Sequence, residues 1–84
     1  MGKKLVGRIA HYFDKIGVAV IELSDTLKAG DDISIEGQVT NLQQAASSIQ
    51  IDRKPVESAK KGQSVGIKVE QRVREGDKVF RIEE

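Results

Sequence analysis

The densest run of reactive side chains is RIAHYFDK, residues 8–15, which sets Arg8, His11, Tyr12 and Lys15 beside the ring of Phe13. Alternate residues of an extended chain share a face, so Arg8 and Tyr12 are expected on one side with Ala10 between them. A guanidinium and a phenol so placed can contact phosphate and stack on a base. The plainer reading, a strand whose amphipathic side chains cover the outside of the molecule, carries more weight. His11 is expected on the face of Ile9 and Phe13, as a hydrogen-bonded residue at a barrel end rather than a catalytic base. Further cations stand in pairs at Arg53 and Lys54, at Lys60 and Lys61, and at Arg72 and Arg74, where they flank strands or occupy loops. With Arg8 and Tyr12 these are the candidate nucleic-acid contacts. Glu57, Glu70, Glu75, Glu83 and Glu84 are interspersed among them, so an ordinary solvated surface explains the pattern about as well. Aromatic residues are 4% of the chain; an extended stacking platform is therefore not expected, whereas phosphate contact with structured RNA stays open.

The acidic residues offer no catalytic pair. Asp31 and Asp32 are adjacent, so in a strand they point to opposite faces. Asp14, Asp25 and Asp77 sit at expected turns, where aspartate caps backbone N–H groups. There is no cysteine and one histidine, which rules out disulfides, thiolate metal sites and a histidine cluster for zinc. No serine stands in a nucleophile motif, and neither G-x-x-x-x-G-K-[ST] nor G-x-G-x-x-G occurs, so a nucleotide site is not expected. A non-enzymatic chain without a cofactor is the expectation.

The elements that must position these residues are strands. Ile33 and Ile35 alternate with Asp32, Ser34 and Glu36, and Val65, Ile67 and Val69 alternate with Ser64, Gly66, Lys68 and Glu70; both runs read as strands with one wet face. Ile49 and Ile51 mark a third, whose start is blurred by the polar stretch 38–46, read as a bulge or loop. Residues 17–23 are apolar on both faces apart from Glu22, which suits a central strand or one whose outer face meets a partner. Residues 4–13 and 78–82 complete about six short strands. Residues 56–60, after the only proline, Pro55, have the composition of one helical turn. Three glycine units, Ala29-Gly30-Asp31, Lys61-Gly62-Gln63 and Glu75-Gly76-Asp77, each precede a strand. The glycine supplies the positive φ of a tight turn and the next residue opens the strand. Ile33, Val65 and Val79 then enter the core. Edges of so small a sheet are most simply hidden by closing it into a barrel.

At 84 residues the chain is read as one domain, 1–84, with a core over about 4–82. A net charge of +1 demands no polyanion partner in bulk. The longest apolar run, 16–21, falls far short of the ~20 residues that span a bilayer, and Lys3-Lys4 precedes no hydrophobic segment long enough for a signal-peptide core. A cytoplasmic chain with no membrane contact is expected.

Two segments carry a family resemblance: GVAVIELSDTLKAGDDISIEG at residues 17–37 and SIQIDRKPVESAKKGQSVGIKVEQRVREGDKVFRI at residues 48–82. In order and spacing, the LK-x-GD-x-I turn and strand, the SIQI strand, A-x-x-G-x-x-VG-I and the final GD-x-V resemble the second domain of elongation factor Tu-type translational GTPases. They are most similar to the short translation elongation factor-like proteins. The resemblance implies a closed six-stranded Greek-key β-barrel and an RNA- or ribosome-associated binding module, with tRNA or ribosomal RNA as partner. The GTPase domain of that family is absent, so nucleotide switching does not carry over. Gly17, Gly30, Gly62, Gly66 and Gly76 carry over as structural turn positions only. An alternative, also by resemblance, is a protein-interaction barrel serving a larger enzyme such as a collagenase-like peptidase, with the two-sided apolar strand as its contact.

Overall fold

The computed structural model describes residues 2–83, and among them there is no helix. Ten strands follow one another: β1 (Gly2–Phe13), β2 (Val18–Leu23), β3 (Leu27–Lys28), β4 (Asp32–Glu36), β5 (Asn41–Ala45), β6 (Ile49–Ile51), β7 (Lys54–Pro55), β8 (Ser58–Ala59), β9 (Ser64–Lys68) and β10 (Lys78–Glu83). Eight form one antiparallel sheet in the order β5-β4-β10-β1-β2-β9-β6-β7, and β3 pairs with β8 as a separate ribbon. The expected strands at 4–13, 17–23, 49–51 and 78–82 are β1, β2, β6 and β10, with β4 and β9 at the two clear alternations. The additional elements are short, and most hold too few residues to display a period.

Two segments differ from expectation. The polar stretch 38–46 contains β5, an edge strand that pairs with β4 from Asp32↔Ala45 to Glu36↔Asn41. Its inward anchors are Leu42 and, just beyond it, Ala46, both buried. Residues 56–60 form no helical turn but hold β8, held by the registers Leu27↔Ala59 and Lys28↔Ser58 and by Ala29 N donating to Glu57 O at 2.7 Å. A segment this short cannot meet the cost of helix nucleation alone, whereas pairing with β3 buries Ala59 and Leu27 in the core.

The core is continuous and aliphatic, with Ile9, Ile21, Leu27, Ile33, Ile35, Ile49, Val65, Ile67, Val73 and Val79 each 0 or 1% exposed. β1 is the spine: it pairs with β10 through its first half and with β2 through its second. Bulges interrupt it between Leu5 and Gly7 and between Ile9 and His11. Each bulge adds one residue on one strand, which reverses which residues face the core.

The repeated glycine units are one turn used three times. Asp31 N donates to Lys28 O, Gln63 N to Lys60 O and Asp77 N to Arg74 O at 3.0 to 3.1 Å. Reciprocally, the N–H groups of Lys28, Lys60 and Arg74 donate to the side chains of Asp31, Gln63 and Asp77 at 2.9, 2.8 and 2.9 Å. Gly30, Gly62 and Gly76, at φ 92, 90 and 89°, occupy the third position of a type II turn, which requires positive φ. Gly17, at φ 68°, closes the β1–β2 hairpin. Gly66 differs: it lies within β9 opposite Val20, in the ladder rather than at a turn.

The ladder of the large sheet is open, with β5 and β7 at its ends, and a side chain links β5 to the segment after β9. Gln44 of β5 donates through Nε2 to Lys68 O at 2.8 Å and accepts at Oε1 from Glu70 N at 2.9 Å. Its amide thus takes the place of a backbone peptide between β5 and the segment after β9.

Candidate functional site

The second bulge of β1 decides where the reactive run points. Between the two bulges Gly7 and Ile9, the latter paired with Ile21, face inward; after the second, His11 pairs with Val20, Tyr12 with Ala19 and Phe13 with Val18. Tyr12 therefore turns toward the core and packs against it, while His11 and Phe13 turn out. Arg8 and Tyr12 do not share a face, contrary to the simple alternation. Arg8 stands instead beside Glu22 at 3.6 Å. His11 does not share a face with Ile9 either: its side chain is exposed, with Nδ1 3.2 Å from Glu75 Oε2 and its ring edge-on to Phe13 at 4.4 Å between centroids.

Beyond Ile9, β1 has outrun β10, and the segment 69–77 runs along its free side. Ile9 N donates to Asp77 O and Gly76 N to Ile9 O, both at 2.8 Å, and Val69 N reaches Gly17 O at 2.9 Å. Val73 is buried as the anchor of this segment, which leaves Arg72 and Arg74 outward on either side of it. Tyr12, Arg72, Val73, Arg74 and Glu75 line a shallow hollow of about 280 Å³. At the hairpin tip, Phe13 and Ile16 are 46% and 62% exposed, against a core in which comparable side chains are fully covered.

The remaining cations go elsewhere. Arg53 and Lys54 lie at the β6–β7 hairpin, where Asp52 and Arg53 both have positive φ, 51 and 65°, so the turn is of type I′. Lys60 and Lys61 belong to the turn before β9, next to Leu23, whose O accepts from Gly62 N at 3.0 Å. The expected contact residues thus do not form one surface; only Tyr12, Arg72 and Arg74 are brought together. Among the described residues the ion pairs are Lys3–Glu36, Lys4–Asp25, Arg8–Glu22 and Arg81–Glu83, with His11 in contact with Glu75, so Arg72 and Arg74 have no acidic partner there. The Lys3 ammonium and the Ser34 hydroxyl hold the Glu36 carboxyl below the ordinary carboxylate range, and Lys4 with the Thr26 N–H does the same for Asp25. Hydrogen bonding to Glu83 pushes the Arg81 guanidinium further into its charged range, against partial burial. No group of three or more His, Cys, Asp or Glu residues gathers in metal-binding geometry among the described residues.

No family model matches the chain. Among curated proteins it is similar to an uncharacterised protease of Methanocaldococcus jannaschii, 45% identical over 80 residues, and to a collagenase of Porphyromonas gingivalis, 39% identical over 83. These alignments take in 94% and 96% of this chain but 20% and 23% of the relatives, so the chain spans about a fifth of the length of the curated relatives it matches. Among solved structures, the C-terminal domain of a Geobacillus thermoleovorans protein described as a U32 peptidase superposes with a TM-score of 0.88 at 18% identity, over 95% of this chain and 93% of that one. Its selenomethionine form gives 0.85 at 19% identity, over 90% and 96%. These findings overturn the resemblance to the second domain of elongation factor Tu and the translation elongation factor-like proteins. With it goes the reading as an RNA- or ribosome-associated module of protein biosynthesis. The segments that carried the resemblance are turn-and-strand entrances, and such chemistry reports a fold rather than a function. The fold is that of a C-terminal domain from a larger peptidase-like protein.

Proposed function

We propose that this chain is a non-catalytic accessory domain of a collagenase-like peptidase of the U32 type, acting through protein contact and needing no cofactor of its own. The observation that carries this reading is the match of nearly the whole chain to about a fifth of two longer proteins named protease and collagenase. The exposed setting of His11 and Glu75 supports it, because neither group lies in a concave, water-excluding site of the kind catalysis uses. The sheet is read as a closed barrel whose seam runs between β5 and the end of β9. The Gln44 amide spanning that gap supports the closure.

The test pairs the chain with a collagenase-like peptidase of the same organism. Sedimentation velocity is expected to show a 1:1 complex, and the chain alone is expected to leave gelatin and fluorogenic peptides uncut. Hydrolysis by the chain alone, or two species sedimenting independently at concentrations of tens of micromolar, would overturn the reading.

A further inference from the structure

We propose that the tip of the β1–β2 hairpin together with residues 70–75 is the surface that docks onto the peptidase, taking a segment in which a carboxylate is flanked by apolar side chains. This rests on the accessory-domain reading above and names the face it uses.

Three features converge there. Arg72 and Arg74 are held outward by buried Val73 and have no acidic partner among the described residues, and Glu75, the neighbour of Arg74, is engaged by His11. Although Asp14 and Glu70 are exposed on the same segments, no carboxylate is paired with either guanidinium among the described residues, and a guanidinium pair is suited to a carboxylate. At the hairpin whose His11 meets Glu75 and the Phe13 ring, Phe13 and Ile16 are two of the four large apolar residues left exposed among the described residues, the others being Leu5 and Val39. Phe13 is continuous with the outward row of Val18 and Val20, both half-buried, in the strand that is apolar on both faces. An apolar anchor beside an arginine is the composition that dominates protein interfaces. The hollow, at about 280 Å³, lies below the usual range for small-molecule sites and is open to solvent. It is therefore read as a seat for one side chain of a partner. The relatives are about five times longer than this chain, so a polypeptide able to supply the segment accompanies the domain there.

The test measures binding of the 84-residue chain to the collagenase-like peptidase by calorimetry, at low and moderate salt. The variants are Arg72→Glu/Arg74→Glu, Phe13→Ser/Ile16→Ser and, as a control of equal charge change, Arg53→Glu/Lys54→Glu. The first two pairs are each expected to weaken binding by about tenfold or more, and the arginine pair to abolish most of its salt dependence. The control should stay within about twofold. All substituted residues are exposed, and circular dichroism checks that each variant folds. A parent complex that none of the variants disturbs overturns the surface and leaves the accessory role standing. Absence of any parent complex overturns both. Self-association of the parent that Phe13→Ser/Ile16→Ser abolishes, with peptidase binding unchanged, makes a second copy the occupant and overturns the proposal.

Discussion

Two turn positions put the same backbone question to opposite residue types. Gly30 sits at φ 92° and Arg53 at φ 65°. An L-residue with a Cβ pays roughly 1–2 kcal/mol in left-handed conformations, whereas glycine pays nothing there but loses about 0.5–1 kcal/mol through its freer unfolded chain. A Cβ at Gly30 would meet no atom within 4 Å, so Gly30→Ala isolates the conformational term. It is expected to lower stability by about 1 kcal/mol. Arg53→Gly, which provides the Asp-Gly sequence that type I′ turns favour, is expected to raise it by several tenths of a kcal/mol or more. Urea unfolding checks both: the midpoints should move in opposite directions at unchanged slope. Midpoints that move together would show that side-chain contacts, not φ, set these turns.

At the scale of elements, legibility in the sequence depended on whether a strand kept its register from end to end. β4 and β9 keep their register, and the inward positions Ile33, Ile35, Val65 and Ile67 are all buried, although Ser34, expected on the wet face of β4, is fully covered as well. β1 is equally apolar, but its bulges move Tyr12 into the core and His11 out of it, and nothing in the run RIAHYFDK marks where the extra residue falls. The turns Lys28-Ala29-Gly30-Asp31, Lys60-Lys61-Gly62-Gln63 and Arg74-Glu75-Gly76-Asp77 were readable because glycine and its capping neighbour recur together. The Asp52-Arg53 turn lacks glycine and gave no such signal. At the candidate site, the shared side of Arg72 and Arg74 follows from period two around Val73, while Ile16 reads in sequence as the start of an apolar run and is instead 62% exposed at the tip. β5 was hidden because an edge strand needs few apolar anchors, and its Gln44, half-buried on the same side as Leu42, is occupied in bonding the segment after β9. Gln44→Ala should therefore speed amide exchange at Glu70 by about tenfold, since its N–H loses its acceptor. Gln44→Glu keeps an acceptor and should largely preserve protection at Glu70. Equal exchange at Glu70 in parent and Gln44→Ala would mean that this bond does not hold β5 to the segment after β9.

Over the whole molecule, fourteen basic and thirteen acidic residues nearly cancel, so stability against pH is governed by particular carboxylates rather than by net charge. Glu36 and Asp25 are the ones held below their ordinary range, by Lys3 and by Lys4 respectively. The two lysines are neighbours near the start of β1, and they bind it to β4 and to the turn after β2. A carboxyl whose folded pKa is depressed takes up its proton more readily in the unfolded chain. Its contribution is thus complete above the unfolded pKa, about 4 to 4.5, and is lost as pH falls toward the lower folded value. Unfolding midpoints are expected to be level from pH 7 to about 5 and to decline below that. Lys3→Met/Lys4→Met should make the decline shallower, because the carboxylates then lose the cations that depress them, while stability at pH 3 changes less than at pH 7. Both pairs are exposed, so 0.5 M salt should mimic the double substitution in direction. An acid limb equally steep in parent and variant would assign the pH response to carboxylates other than these two.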